Sequence, residues 1–197
     1  LITGASSGIG RDMARILSQK GYELIAVARD EEKLEQLKSE LKTNVKIIAI
    51  DISNVENCKK IYEENKDIDI LINNAGFGDC GYFAETNLEK DVQMINTNVL
   101  ATHVLTKLYL KEMTEKNSGK ILNVASIAGF MPGPLMATYY STKNYVVKLS
   151  EAIREELKIK KSNVQISILC PGPVNTNFNK VANVKFALKG QTSESVS

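Results

Sequence analysis

Six short apolar runs, each rich in β-branched residues and separated from the next by a longer amphipathic stretch, restrict this chain more than any other feature. The runs are LIT (1–3), ELIAVA (23–28), VKIIAI (45–50), IDILIN (68–73), KILNVAS (120–126) and VQISILC (164–170). Near-continuous hydrophobicity over so few residues suits strands covered on both faces. Between the runs, apolar residues recur with helical period at 9–20, 30–42, 54–66, 88–116 and 138–161. In 30–42, Leu34, Leu37 and Leu41 fall at i, i+3 and i+7 among charged neighbours, which gives one apolar helix face. Strand–helix–strand repetition predicts an α/β fold, a doubly wound parallel sheet with helices on both faces. Ligands of such sheets bind at the carboxyl ends of the strands.

The 197 residues suffice for one domain with a sizeable core, and no repeat or low-complexity segment divides them. A net charge of +2 provides no field favouring nucleic acid or an anionic membrane as partner. No apolar run approaches the roughly 18 residues of a membrane helix. Cys58, Cys80 and Cys170 are odd in number and lack metal-ligand spacing, so free thiols, a cytoplasmic setting and no metal are expected. His103 is the single histidine, which excludes a mechanism built on a His pair. The chain opens inside a strand and stops at TSESVS, where a helix begins, so both ends are expected to be truncated.

TGASSGIG (3–10) joins the first strand to the first helix. Gly4 suits a turn with φ > 0, Gly8 leaves room at the helix start, and Gly10 lets the helix pack closely on the sheet. The free N–H groups at that helix end can hold an anion. Strand two ends Ala28, Arg29, Asp30. Dinucleotide folds place an acid about 20 residues beyond the glycines for the ribose 2′-OH, or an Arg for a 2′-phosphate. Position 28 is Ala and Arg29 follows, which favours NADP over NAD. In the alternative, Arg29 and Asp30 are ordinary strand-end charges, with Asp30 capping the next helix.

TGASSGIG, NNAG (73–76), NVASIAG (123–129), YYSTK (139–143) and PGPVNT (171–176) occur in this order. Together they resemble the short-chain dehydrogenase/reductase family in its Tyr-x3-Lys branch, over essentially the whole chain. The resemblance implies a single Rossmann-type domain over 1–197 that moves a hydride between a nicotinamide and a carbonyl or secondary alcohol. Residue chemistry agrees. A tyrosine can give the proton if its pKa falls from about 10 toward neutrality, and a nearby ammonium favours phenolate. Tyr139 and Lys143 are four apart, on one helix face, whereas the i+4 partner of Tyr140 is Asn144. The resemblance also implies that Lys143 holds the nicotinamide ribose. Ser126, at the end of strand five, can stabilise charge on the substrate oxygen, or it can simply cap a turn. Asn98, with Ala101, matches the family's fourth residue, implied to hold a water that links the lysine to solvent. Asn96 is the competing asparagine.

Further cofactor contacts are implied at Ser6, Ser7, Ile9, Asp51, Ile52, Asn74, Ala75, Gly76, Pro171, Gly172, Val174 and Thr176, beside the glycines. Asp51 has an alternative as N-cap of helix 54–66, and Thr3 is expected to order the backbone. The segment 177–190, with Lys180, Lys185 and Lys189, resembles a mobile substrate loop. The apolar segment 127–138 admits two readings, an apolar substrate portion or a core and subunit contact. Helices 88–116 and 138–161 carry apolar residues such as Val104, Leu108, Val146 and Leu149 beyond one core face, and in the family they pair across a two-fold axis. A homodimer or homotetramer is therefore expected. Two rivals are a non-catalytic nucleotide-sensing protein on the same fold and an epimerase or dehydratase of the extended relatives.

Overall fold

The computed structural model describes residues 1–175, 178, 182 and 190–197. Six parallel strands form one sheet: β1 (Ile2–Thr3), β2 (Leu24–Ala28), β3 (Val45–Ala49), β4 (Ile70–Asn73), β5 (Lys120–Val124) and β6 (Gln165–Leu169). Their order is β3-β2-β1-β4-β5-β6. The order reverses at β1, where Ile2 pairs with Ala26 of β2 on one side and Ile72 of β4 on the other. That reversal opens the crevice in which such folds take ligands.

Helices α1 (Gly8–Gln19) and α2 (Glu31–Glu40) cover one face. Their Met13, Ala14, Leu34 and Leu37 pack with Ile2, Ala26 and Ile72. Helices α3 (Val55–Glu64), α4 (Leu88–Ile95), α5 (Thr102–Lys116) and α6 (Ala137–Ile159) follow in the chain. From α3, α5 and α6, Cys58, Leu105, Tyr109 and Leu157 pack with Val27, Leu71 and Ile121. Neighbours such as Ala26 and Val27, or Leu71 and Ile72, thus serve opposite layers, as the pleat requires. Asp30 caps α2 by accepting from the Lys33 N–H at 3.0 Å, and Asn54, not Asp51, caps α3.

The long stretch 88–116 is not one α-helix. A π-helical turn, Asn96–Ala101, separates α4 from α5. Such turns recur at functional sites. Beyond β6, Val174–Asn175 (β7) and Gln191–Thr192 (β8) form a small parallel pair, and α7 (Ser193–Val196) closes the chain. Of the expected loop 177–190, only Phe178, Ala182 and Gly190 are among the described residues, so Lys180, Lys185 and Lys189 lie outside them. Of the four residues expected to face outward for assembly, Val146 is instead buried in the subunit, while Val104, Leu108 and Leu149 are half-buried. No helix among the described residues is long and apolar enough to cross a membrane.

Candidate active site

A cleft of about 720 Å³ runs along the carboxyl ends of the strands. Residues just past each of the six strands line it: Gly4, Arg29, Asp51, Asn74, Ser126 and Pro171. At one end the turn after β1 forms a cradle. Gly4 and Gly8 take left-handed φ of 68° and 53°. A Cβ on Gly4 would lie 2.9 Å from Ala75 Cα, so this turn needs glycine for both conformation and space. Ser7 is the N-cap of α1, yet its hydroxyl makes no bond to the helix, and the first turn carries no acid. The open N–H groups of α1 and a free hydroxyl therefore face the cleft together with Ser6 and Ile9.

Arg29 lines the cleft, is exposed, and has no hydrogen bond or ion pair among the described residues. Asp30 beside it is held by both the backbone N–H and the ammonium of Lys33, which keeps its carboxyl below the usual range. Asp51 accepts from the Ser53 N–H at 2.9 Å and borders the cleft with Ile52. These residues fit an adenine dinucleotide: a glycine-containing cradle at a helix N-terminus suits a pyrophosphate.

At the other end, Ser126, Tyr139 and Lys143 share the wall. All three are buried. Ser126 both borders the cleft and caps the 3₁₀ turn Ile127–Phe130, accepting from the Ala128 N–H at 3.1 Å. Lys143 Nζ donates to the Val124 carbonyl at 2.9 Å and stands 5.9 Å from the centre of the Tyr139 ring. The expected lowering of the tyrosine pKa is not what the geometry gives. Burial pushes Tyr139 up to about 12, and the Ser126 hydroxyl pulls the other way without cancelling it. Burial also brings Lys143 down from 10.5 to about 8. Burial penalises the charged form of each group, and on raising the pH the lysine gives up its proton before the phenol does.

Two of the sequence-derived site residues stand elsewhere. Gly10 does not line the cleft. A Cβ there would come within 2.5 Å of the Gly4 carbonyl oxygen and closer still to the Asn74 amide, so Gly10 locks α1 against the sheet. Asn98 sits behind the wall on the π turn. Its amide donates to the Phe77 carbonyl at 2.9 Å and to the Thr142 hydroxyl at 3.1 Å, and its Oδ1 accepts from the Phe77 N–H at 3.1 Å. Thr176 lies outside the described residues. The remainder, Ile9, Ile52, Ala75, Gly76, Gly172 and Val174 among them, do line the cleft.

Sequence reading missed several neighbours. Thr142, three residues after Tyr139, donates to the Tyr139 carbonyl at 2.7 Å while accepting from Asn98. Lys90, Gln93 and Thr97 border the cleft, and their i, i+3, i+7 spacing was the available signal. Behind the site, Asn73 donates to Asn123 at 2.9 Å, and Asn123 donates to Ser150 at 2.9 Å, a buried polar chain linking β4, β5 and α6. Thr3 accepts from the Asn74 and Ala75 N–H groups at 3.0 and 3.1 Å, which orders that turn as expected. Cys170 does have a cation nearby, Lys143, but burial outweighs it and raises the thiol.

Sheet order, cradle and buried Ser-Tyr-Lys group define a dinucleotide-dependent oxidoreductase of Rossmann type. Residues 1–185 match the short chain dehydrogenase family, and the chain belongs to it. A ketoacyl reductase of Nostoc is 36% identical over 182 residues, covering 89% of this chain and 63% of that protein. A 3-oxoacyl-acyl-carrier-protein reductase of Rickettsia prowazekii is 30% identical, covering 94% and 76%. A solved short-chain dehydrogenase from Sphingobium yanoikuyae in complex with NADPH superposes with a TM-score of 0.91 at 28% identity, covering 99% of this chain and 79% of that one. The protein is therefore a short-chain oxidoreductase whose family uses a nicotinamide dinucleotide.

Proposed function

We propose that this protein is an NADP(H)-dependent carbonyl reductase in which Tyr139 is the general acid. One observation carries the reading: the buried Tyr139 phenol shares a cleft wall with Ser126 and Lys143, while the far end of that cleft holds Arg29, unpartnered among the described residues. When bound, the reduced nicotinamide supplies the hydride that converts C=O to CH–O⁻. Tyr139 O–H gives its proton to that oxygen, completing the alcohol. Ser126 donates a hydrogen bond to the same oxygen as charge develops. Lys143 holds the nicotinamide ribose and returns a proton to Tyr139, with Asn98 keeping the turn at Phe77 in place beside it. Arg29 takes the 2′-phosphate, and Ser6, Ser7 and the α1 N-terminus take the pyrophosphate.

The ketoacyl and 3-oxoacyl reductases among the relatives support the same direction of reaction. Assembly through α5 and α6 belongs to this reading. Tyr145 of α6 is exposed and makes a 2.7 Å hydrogen bond with His103 of α5. The test is Tyr139→Phe, which removes one oxygen and keeps the ring. NADPH binding should be retained, and carbonyl reduction should fall by about 10² to 10⁴. Near wild-type turnover in that variant would send the proton source elsewhere, first to Tyr140.

A further inference from the structure

We infer that the substrate of this site carries an uncharged apolar substituent of several carbons next to its carbonyl. The inference rests on the reductase reading and deepens it. The wall around Tyr139 is one apolar cluster. Met94, Ala128, Met136 and Ala182 are buried there, and Phe77 and Phe178 pack against them. The Phe178 ring lies 5.1 Å from the Tyr139 ring, centre to centre. Space in this corner is used closely. A Cβ on Gly78 would lie 2.8 Å from Phe178 Cζ and 3.3 Å from Met136 Cε.

The backbone is shaped to hold Met136 in that position. Leu135 takes a left-handed φ of 67°, a conformation costly for a branched residue. Its carbonyl accepts from the Gly81 N–H at 2.8 Å, which fastens the segment after β4 to the start of α6. The next residue, Met136, enters the cleft wall, and its flexible thioether can adapt to an aliphatic or aromatic group. Besides Arg29, two described cations border the cleft, and both are engaged: the Lys143 ammonium donates to the Val124 carbonyl at 2.9 Å. The Lys90 ammonium is bound to Asp79 at 2.6 Å. A substrate carboxylate would have to displace that partner. An apolar substituent meets no such cost, and its burial is favoured by the area it removes from water.

The test uses two homologous series on the wild-type protein. Tertiary alcohols, 2-methyl-2-butanol through 2-methyl-2-octanol, have no carbinol hydrogen and cannot react. Their affinity for the NADP⁺-loaded enzyme is read by calorimetry. Methyl ketones of the same chain lengths are then assayed for reduction at saturating NADPH, beside 2-oxo acids of equal carbon number. Dissociation constants should fall, and kcat/KM should rise, about two- to fourfold per added methylene. Met136→Ser should flatten both slopes and leave NADPH affinity unchanged. Chain-length-dependent binding without reduction of any ketone would uphold the apolar subsite and overturn the reductase reading. A flat series, no binding by any member, or preference for the 2-oxo acids would overturn the inference.

Discussion

Replacing Lys143 by Met should change how stability depends on pH, by an amount the site itself sets. The Lys143 ammonium is buried, and its pKa falls from 10.5 to about 8 because desolvation outweighs every favourable partner. Below about pH 8 the charge is present in folded and unfolded chains alike, and the native state bears the whole desolvation cost. Between about 8 and 10.5 the native lysine is neutral while the unfolded one still binds its proton. The unfolded state then holds more protons, so native stability rises with pH through this window. At about 1.4 kcal/mol per pKa unit the full effect is about 3 kcal/mol, and between pH 6.5 and 9.5 about 2 kcal/mol of it appears. Methionine keeps the aliphatic stem and removes the charge. It also leaves the Val124 carbonyl without its 2.9 Å donor, but that loss is the same at both pH values. Cys58, raised to about 12 by burial, titrates identically in both proteins. Urea unfolding of each protein at the two pH values therefore isolates Lys143. Wild type should gain about 2 kcal/mol relative to Lys143→Met on going from pH 6.5 to 9.5. Parallel pH dependence in the two proteins would refute the assignment of a charged, desolvated lysine.

Arg29→Ala should weaken NADPH binding about 10- to 100-fold, the worth of a hydrogen bond to a charged group, and leave NADH nearly unchanged in a fluorescence titration. Equal loss for both cofactors would remove the 2′-phosphate role. Thr142→Val keeps the shape but strands the buried Asn98 amide, and should cost about 1–3 kcal/mol in chemical denaturation. Thr142→Ser should restore most of that loss. Gly10→Ala should destabilise by about 1–3 kcal/mol through overpacking on the Gly4 carbonyl and Asn74, which a thermal melt will read.

The parts of the molecule legible in the sequence are those where one residue type imposes one geometry. Short β-branched runs marked all six strands, because strands covered on both faces admit little else. Glycine spacing marked the cradle, and Tyr139 with Lys143 marked a single helix face. The π turn stayed hidden for a physical reason. Met94, Asn98, Ala101, Thr102 and Leu105 are all buried, so the apolar period continues across the inserted residue. Ionisation was misread for a different reason. The i+4 spacing fixes where Lys143 points, but the depth of the pair below the surface, which sets both pKa shifts, depends on β5, the 3₁₀ turn and Phe178. Links such as Asn73–Asn123–Ser150 join residues 50 and 27 positions apart, and no local pattern announces them.

Burial of Lys143 and Tyr139 ties the chemistry of this site to its instability. Water excluded from the cleft wall holds the Tyr139 phenol above its ordinary pKa. The same exclusion makes the neighbouring ammonium costly to hold. The fold offsets that cost with a carbonyl from β5 rather than a carboxylate. A carboxylate would stabilise the ammonium better, but it would raise the lysine pKa and, in the proposed mechanism, slow the return of a proton to Tyr139. A neutral acceptor leaves Lys143 at about 8, close enough to physiological pH to give up and regain a proton in each cycle. The unfavourable burial of Lys143 is thus a condition of its proposed role, and variants that make this corner more stable are expected to make it less active.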